Sequence, residues 1–342
     1  MKKILVAMSG GVDSAAACLL LQRQGYEVGG ATMLLRDGGE GEAEDARRAA
    51  EQMGLPFFLF EWKEEFQKRV IAPFTDVYRA GATPNPCVIC NGAMKFGLFL
   101  DRALALGYDG IATGHYARVT RENGRYVLKL AADRPKDQTY MLCKLTQHQL
   151  AHTLFPLGDV ESKDAVRALA AEAGLDLARK HDSQDICFVP DGDYMAYLTA
   201  HGLVPQQGNF ITPEGKILGA HRGLEAYTVG QRRGLGISSE ESYYVKEIRP
   251  SDNTVVLCRE AELYSKTLTA DNINLISVPE IKEPMRVSAK VRYRQQAQQA
   301  TVIQTDENTL KIEFDEPQRA VTAGQAVVLY DGDTVVGGGT IL

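Results

Sequence analysis

The turn Ser9-Gly10-Gly11-Val12-Asp13-Ser14 lies between a short apolar run at residues 4–7 and an alanine- and leucine-rich run that begins at Ala15. The first run predicts a buried parallel strand and the second predicts a helix. A strand, a tight glycine turn and a helix N-terminus together bind anions well, because glycine allows positive φ and close approach and the free N–H groups face the ligand. Asp13 can hold a magnesium ion or a backbone amide. The stretch therefore predicts a phosphate site.

This turn is not an ordinary P-loop, since that motif needs a lysine for the outer phosphates and residues 9–14 contain none. It resembles the PP-loop, SGGxDS, of the ATP pyrophosphatases. The resemblance implies that ATP is cut between its α and β phosphates, so that a substrate oxygen becomes an adenylate and pyrophosphate is released. The alternative is a glycine-rich turn of some other α/β protein.

The first 115 residues alternate short apolar runs with helical patterns, which predicts βαβ units and a parallel, Rossmann-like sheet. The predicted strands are residues 4–7, 27–34, 56–60 and 110–113, and the predicted helices are residues 42–53, 63–78 and 91–106. Ligands of such sheets bind at the carboxyl ends of the strands. Met33 and Gly114 are expected at the same edge as the glycine turn.

The remaining chain predicts two further domains. A hairpin is expected at residues 118–130, and turns with short strands follow residue 190, at 243–248 and 254–258. Strands at residues 287–293, 300–304, 310–314, 326–330 and 334–337 predict a small antiparallel barrel. We therefore expect an α/β fold with a PP-loop domain at 1–190, a small mixed domain at 191–264 and a C-terminal β-barrel at 265–342.

Composition indicates an ordinary globular protein, with 24% charged and 44% hydrophobic residues in 342. The N-terminus shows no signal-peptide pattern and no apolar run approaches the roughly 18 residues of a membrane helix, so we expect a cytoplasmic protein. The net charge of −6 argues only weakly against a nucleic-acid partner, because a local basic face matters more than the total.

The second informative stretch is Thr83-Pro84-Asn85-Pro86-Cys87-Val88-Ile89-Cys90. Its prolines stiffen the approach to the helix predicted at 91–106, so Cys90 is expected near a helix N-terminus, where a thiol pKa is lowered. A third cysteine, Cys187, follows Ser183-Gln184-Asp185-Ile186. The other three, Cys18, Cys143 and Cys258, are expected in the core.

Three other uses of these cysteines remain open at this stage. They are thioredoxin-like redox chemistry, a structural zinc site that adds His115, and an iron–sulfur cluster held by Cys87, Cys90 and Cys187.

Taken from end to end, the chain resembles the tRNA-specific 2-thiouridylase (MnmA) family. The matching segments are residues 8–14, 83–91, 95–96, 114–118, 136–138, 155–158, 183–188, 221–224, 227–237 and 291–295. The resemblance implies that ATP adenylates the 2-oxygen of the wobble uridine of tRNA, and that Cys187 carries a persulfide with Cys90 as its catalytic partner. The persulfide comes from a desulfurase or a sulfur-relay protein, and a Cys90–Cys187 disulfide remains to be reduced after each turnover.

The same resemblance implies the binding residues. ATP, with Mg²⁺, is expected at Ala7, Met8, Ser9, Gly10, Gly11, Val12, Asp13, Ser14, Met33 and Gly114. The flipped target base is expected at Asn85, Pro86 and Cys87. Contacts with tRNA are expected from His115, Lys136, Asp137, Gln138, Arg292, Tyr293 and Gln325. Cys87 stands where some members carry an aspartate, which leaves its role open between no acid–base function and a cluster ligand. From its residue type alone, the favoured interpretation of His115 is a satisfied loop histidine.

A basic strand supports an RNA partner independently of the resemblance. If residues 286–294 are extended, Arg286, Lys290, Arg292 and Arg294 share one face, which suits a phosphate track better than a solvated surface. Two other functions remain as alternatives, a PP-loop ligase or amidotransferase acting on a small molecule and an RNA-binding module without catalysis.

Overall fold

The computed structural model describes residues 2–174, 186–189 and 192–342. Its strands are β1 (Lys3–Ala7), β2 (Glu27–Leu34), β3 (Phe57–Glu61), β4 (Gly110–Thr113), β5 (Arg118–Glu122), β6 (Arg125–Lys129), β7 (Thr153–Leu154), β8 (Gly208–Ile211), β9 (Ile217–His221), β10 (Tyr244–Arg249), β11 (Thr254–Cys258), β12 (Tyr264–Leu275), β13 (Met285–Lys290), β14 (Gln298–Asp306), β15 (Thr309–Arg319), β16 (Ala326–Asp331) and β17 (Thr334–Ile341).

The helices are α1 (Val12–Arg23), α2 (Glu40–Gln52), α3 (Lys63–Phe66), α4 (Ala72–Arg79), α5 (Pro86–Cys90), α6 (Phe99–Ala105), α7 (Gln147–Ala151), α8 (Lys163–Glu172) and α9 (Tyr194–Ala200). Two π-helical segments, Gln67–Ile71 and Asn91–Leu98, join α3 to α4 and α5 to α6. Residues 86–105 therefore form one continuous helical rod.

The N-terminal part is built on a parallel sheet with the strand order β3-β2-β1-β4-β7. Its central strand β1 is apolar and buried because helices cover both faces. On one face α1 and α2 contribute Cys18, Leu21 and Ala46, and on the other the rod contributes Phe96 and Phe99. The predicted parallel sheet is confirmed, and β2 and β4 have the predicted bounds.

The rod begins at Pro86, five residues before the predicted start of its helix at residue 91. The Asn85 side chain accepts a hydrogen bond from the Val88 N–H at 3.3 Å, and Pro86 occupies the first helical position. Asparagine before proline is a strong helix start, because proline loses no hydrogen bond there. The helix therefore begins earlier than predicted, and both Cys87 and Cys90 lie within it.

The middle part is a four-stranded sheet with the order β10-β11-β8-β9 around buried Phe210, Val245 and Val255. The hairpin of β8 and β9 was not predicted, because glycine and polar residues interrupt its apolar alternation.

The C-terminal part is an antiparallel barrel, as predicted. Strands β12-β15-β14-β13-β16-β17 are consecutive neighbours, and β12 also pairs with β17, which closes the barrel. The hairpin β5–β6 extends this sheet through the pairing of Lys129 with Thr334. In contrast to the expected strand at 286–294, β13 ends at Lys290, so Arg292 and Arg294 do not share its face with Arg286. Within the described ranges, no helix has the length and apolar character needed to cross a membrane.

Candidate active site

The glycine turn is preformed at the carboxyl end of β1. The Ser14 hydroxyl donates to the Gly11 carbonyl at 3.0 Å and accepts from the Ser9 N–H at 3.2 Å. Gly10 has a φ of +69°, and a Cβ there would lie 2.7 Å from the Glu42 carbonyl oxygen. Glycine is therefore required at this position, both by its backbone conformation and by the contact with α2.

The other residues predicted to bind ATP lie at the same sheet edge. Met33 is the penultimate residue of β2 and is half-buried, and Gly114 follows β4 directly. A Cβ on Gly114 would lie 2.8 Å from the Asp13 carbonyl carbon, so this glycine packs against the turn itself. The structure brings together the residues from 7 to 14 with Met33 and Gly114, which come from three neighbouring strands.

Asp13 is paired with a lysine that sequence reasoning missed. Both carboxylate oxygens accept hydrogen bonds from the Lys163 ammonium group, at 2.7 and 2.6 Å, and the Tyr116 hydroxyl donates to one of them at 2.8 Å. Lys163 is the first residue of α8, where the helix dipole disfavours a cation. A lysine at the first position of a helix is tolerated when an anion lies beside it. The position of Lys163 therefore could have indicated an acidic partner.

The three cysteines of interest lie on two segments that pack together. Cys87 is exposed and Cys90 is half-buried on α5, one turn apart. Cys90 packs against the cluster that contains Phe188 and Val189, directly after the exposed Cys187. All six cysteines have free thiols, and the predicted core cysteines 18, 143 and 258 are buried. The residues 183–185 of the third motif lie outside the described residues.

Burial dominates the electrostatics of these thiols. It raises the pKa of Cys90 to about 11, and it raises the pKa values of Cys87 and Cys187 as well. The expected lowering of the Cys90 pKa at a helix N-terminus is therefore not observed, because desolvation of the thiolate outweighs the favourable charge. The charged forms of Cys87 and Cys187 also raise the Cys90 pKa, so the three sulfurs are electrostatic neighbours.

The opposing influence is Lys95, a second residue whose role sequence reasoning missed. Its positive charge lowers the pKa of all three thiols. Lys95 lies five residues after Cys90 in the π-helical segment Asn91–Leu98, where the i→i+5 hydrogen-bond pattern stacks residues five apart. Among the described residues, the half-buried Lys95 has no ion-pair partner. The sequence signal was present, since Lys95-Phe96 belongs to the matching segments.

The thiols and the glycine turn share a neighbour. Besides Lys95, Arg36 lowers the pKa of Cys187 and Glu42 raises it. Arg36 and Glu42 form an ion pair at 2.8 Å, and the Glu42 backbone carbonyl is the group against which Gly10 packs. Cys187 is therefore within electrostatic range of Lys95 on the rod of residues 86–105 and of the Arg36–Glu42 pair beside the glycine turn.

The predicted base pocket is held in place by the barrel. The Gln325 amide donates to the carbonyl oxygens of Thr83 and Pro84, at 2.9 and 3.1 Å. The Thr83 N–H donates to the Ala323 carbonyl at 2.9 Å. Downstream, Asn85 caps α5, Pro86 is buried and Cys87 is exposed. The turn at 320–325 thus fixes the backbone that leads into the pocket residues.

Several residues predicted to contact tRNA have partners within the protein. His115 packs beside the rings of Phe96 and Phe155, and its Nδ1 is 2.7 Å from the Thr113 hydroxyl. Burial, and then the charge of Lys95, hold the His115 pKa well below its usual value of 6.5. The site described here therefore contains a neutral imidazole.

The residues 136–138 form a connected turn next to this histidine. The buried Asp137 carboxylate accepts from the Ala131 N–H, the Thr139 N–H and the Thr139 hydroxyl. Gln138 accepts from the Tyr116 N–H at 3.0 Å, and its own N–H donates to the Tyr116 carbonyl. Lys136, at the end of a short 3₁₀ turn, is half-buried.

Two arginines of the predicted phosphate track, Arg286 and Arg292, also bond to protein atoms. The half-buried Arg292 donates to the carbonyl oxygens of Val229 and Ala320 and to the Thr322 hydroxyl. Arg286 forms a two-pronged ion pair with Asp315 at 2.8 and 2.7 Å. The Tyr293 hydroxyl donates to the Asp137 carbonyl at 3.2 Å. The track of four arginine and lysine side chains on one face is not formed.

At the glycine turn, the side-chain atoms available to a metal ion are oxygens. In the part of the chain that is described, no three His, Cys, Asp or Glu side chains are arranged to hold a metal ion. Cys87, Cys90 and Cys187 thus do not form a ligand set for zinc or an iron–sulfur cluster here. The Asp13 carboxylate and the Ser9 hydroxyl are hard oxygen donors of the kind that Mg²⁺ prefers.

Comparison with known proteins identifies relatives over the whole chain. Three family models match, described as the tRNA methyl transferase HUP domain over residues 2–191, the tRNA methyl transferase PRC-barrel domain over 196–259 and the aminomethyltransferase beta-barrel domain over 265–341. The chain is similar to the tRNA-specific 2-thiouridylase MnmA of Clostridioides difficile, with 47% identity over 99% of this chain and 98% of the relative. It is also similar to the proteins of that name from Clostridium acetobutylicum, at 45% identity, and Acetivibrio thermocellus, at 47%, each over 99% of both chains.

Proposed function

This chain belongs to the tRNA-specific 2-thiouridylase family and is a tRNA sulfurtransferase that synthesises 2-thiouridine, and from this premise we propose which of its residues carry the reaction. The enzyme uses ATP, as PP-loop proteins do. Position 34, the wobble uridine, is the proposed target. The persulfide donor is proposed to be a cysteine desulfurase or a sulfur-relay protein, and the proposed location is the cytoplasm, where tRNA is modified.

ATP activates the uridine at the glycine turn. The N–H groups at the start of α1 and the Ser9 hydroxyl bind the phosphates, while Met33 and Gly114 border the adenosine. Magnesium, when bound with ATP, supplies positive charge to the phosphates, and Asp13 would hold it. The uridine 2-oxygen attacks the α phosphorus, pyrophosphate leaves, and C2 then carries AMP as a good leaving group.

Sulfur transfer follows at the same edge. The terminal sulfur of a Cys187 persulfide attacks C2, and the C2–O bond to AMP breaks as the C–S bond forms. The Cys90 thiolate then attacks the Cys187 sulfur, and the electron pair of the broken S–S bond stays with the thiouridine. A Cys90–Cys187 disulfide remains, which an external dithiol must reduce by two electrons.

The observation that carries this proposal is the position of Cys187. Its electrostatic neighbours are Lys95, which lies on the rod with Cys90, and the Arg36–Glu42 pair, which borders Gly10. The thiols and the glycine turn therefore have charged groups in common, which supports one site for thiol and phosphate chemistry. Because the three cysteines do not form a metal-ligand set among the described residues, a persulfide route is favoured over an iron–sulfur cluster.

The base pocket is proposed at Asn85, Pro86 and Cys87, and the tRNA contacts at His115, Lys136, Asp137, Gln138, Arg292, Tyr293 and Gln325. Since most of the latter side chains already bond to protein atoms, we propose that they shape the tRNA-facing surface, with backbone and neighbouring groups making part of the contact. Two of them, Gln325 and Tyr293, tie the barrel to the catalytic part.

A thiolation assay tests the assignment. ATP, a persulfide donor, a dithiol and tRNA with an unmodified wobble uridine are incubated with each variant, and 2-thiouridine is measured by mass spectrometry. Cys187→Ser and Cys90→Ser are expected to lose at least 1,000-fold in rate, on the order of a lost covalent catalyst. Cys87→Ser alters the proposed base pocket but not a sulfur carrier, so it is expected to keep activity within about tenfold and separates a lost pocket contact from lost sulfur transfer.

Iron content decides between the two sulfur routes. Active enzyme purified without oxygen is expected to be free of iron and colourless. Stoichiometric iron that is lost in Cys87→Ala together with activity contradicts the persulfide route, whereas full activity of both Cys90→Ser and Cys187→Ser contradicts the sulfur-transfer residues themselves.

A further inference from the structure

The ion pair between Lys163 and Asp13 joins the glycine turn to a helix that begins 150 residues later. The Lys163 side chain is only 9% exposed, and its ammonium group lies 2.6 Å from one Asp13 carboxylate oxygen. Burying an ammonium group costs free energy, and an ion pair offsets that cost only if the fold fixes both side chains in position.

Packing between α1 and α8 fixes the positions of Asp13 and Lys163. Helices α1 and α8 pack against each other through a buried cluster that includes Val12, Ala16, Val166 and Leu169. The Ser162 hydroxyl accepts from the Ala165 N–H at 3.3 Å and fixes the start of α8. The ammonium group also lies 5.9 Å from the centre of the Tyr116 ring, which adds a cation–π contact.

The charge balance of the turn explains what this lysine could do. Asp13 lies in the first turn of α1, at the end where an anionic ligand is expected to bind. An unpaired carboxylate there would repel the phosphates of ATP. The glycine turn contains no lysine of its own, so the cation that a P-loop carries within its motif is absent from the local sequence.

We propose that Lys163 is a phosphate-binding residue of the ATP site, whose ammonium group neutralises Asp13 in the free enzyme and donates to the pyrophosphate half of bound ATP. This inference rests on the ATP site described under the proposed function. It assigns to α8 the role that the lysine of an ordinary P-loop plays. It also predicts that Lys163 contributes little to binding of the adenosine and the α phosphate.

Binding measurements on the full chain, without tRNA and without a sulfur donor, test this. The affinities of ATP, inorganic pyrophosphate and AMP are measured separately by calorimetry in magnesium buffer. Lys163→Gln is expected to weaken ATP and pyrophosphate by about 10- to 100-fold, the usual range for a lost charge-assisted hydrogen bond, and to leave AMP within about twofold. Lys163→Arg is expected to recover part of the loss.

Arg167→Gln is the matched control, because this exposed residue lies on the same helix and forms a local ion pair with Asp164. It keeps all three affinities. If Lys163→Gln fails to fold because the Asp13 carboxylate has lost its cation, Asp13→Asn is compared with Asp13→Asn/Lys163→Gln, in which both charges are gone.

Equal weakening of ATP and AMP would show a structural role and overturn the proposal, as would unchanged ATP binding. Neither outcome bears on sulfur transfer, which the cysteine series tests separately.

Discussion

His115 shows how burial determines the chemistry of a single residue. Its imidazole is enclosed by two phenylalanine rings and a threonine hydroxyl, and both desolvation and the charge of Lys95 disfavour the imidazolium. The residue is therefore a neutral part of the wall next to the rod of residues 86–105. A general-base role is not required to explain it.

This environment makes the stability of the protein depend on pH. Because the native pKa of His115 lies below its unfolded value of 6.5, the unfolded state takes up a proton first as the pH falls through 6.5. Stability from this residue is thus present above pH 6.5 and is lost below it, by up to about 1.4 kcal/mol per pH unit.

We expect His115→Gln to flatten the fall of the urea midpoint between about pH 7 and pH 5. The exposed His201→Gln serves as the control and should follow the wild-type curve. Parallel curves for wild type and His115→Gln would contradict the assignment.

At the level of the element, the π-helical segment Asn91–Leu98 matters most. It follows α5 without a break and carries Lys95 onto the face of Cys90. π-helical turns are rare and concentrate at functional sites, because each costs hydrogen-bond geometry. In this chain the segment places the Lys95 ammonium group where its charge lowers the pKa values of Cys87, Cys90 and Cys187.

Lys95→Met is expected to raise the pKa values of Cys87, Cys90 and Cys187 further, since a charge that stabilises their thiolates is removed while the side chain stays long and apolar. Alkylation by iodoacetamide at pH 9, resolved by cysteine with mass spectrometry, should slow about three- to tenfold. Lys68→Met, an exposed lysine in the other π-helical segment, is the control and should leave these rates unchanged. Equal rates in Lys95→Met and wild type would refute the shared-cation role.

At the scale of the whole molecule, Arg292 links the barrel to the middle sheet. Its guanidinium group bonds to Val229 on one side and to Ala320 and Thr322 on the other. The same turn at 320–325 then holds Thr83 and Pro84 through Gln325. A connected set of hydrogen bonds therefore runs from the middle sheet to Thr83 and Pro84, which precede Cys87 in the chain.

Replacing Arg292 should therefore destabilise the folded state. We expect Arg292→Gln to lower the free energy of urea unfolding by about 2–3 kcal/mol, because partly buried acceptors lose a charged donor. Arg286→Gln, which breaks an exposed pair with Asp315 and a hydrogen bond to the Thr301 hydroxyl, should change the free energy of unfolding much less than Arg292→Gln does.

Binding of tRNA gives an independent readout for the same pair of variants. If Arg292 acts through the fold, its loss weakens tRNA binding without changing the slope of log affinity against log salt. A slope reduced by about one would instead indicate a direct phosphate contact.

The sequence alone determined the local features of this protein. Turn chemistry and strand periodicity depend on neighbouring residues, so the glycine turn at 9–14, the strands β2 and β4, the parallel sheet and the closed barrel could be predicted. The buried cysteines 18, 143 and 258 could be predicted for the same reason. The family could be recognised because its motifs are contiguous.

Only the tertiary structure decided which distant groups meet. Three interactions join residues about 90 to 240 positions apart in the chain. They are the ion pair of Asp13 with Lys163, the electrostatic contact of Cys187 with Cys90 and Lys95, and the hydrogen bond from Gln325 to Thr83. Burial, which set the pKa of Cys90 against the helix dipole, also depends on such long-range packing. The local sequence does not predict this desolvation, because every segment that packs around a group contributes to it. Only a few of those segments are neighbours in sequence.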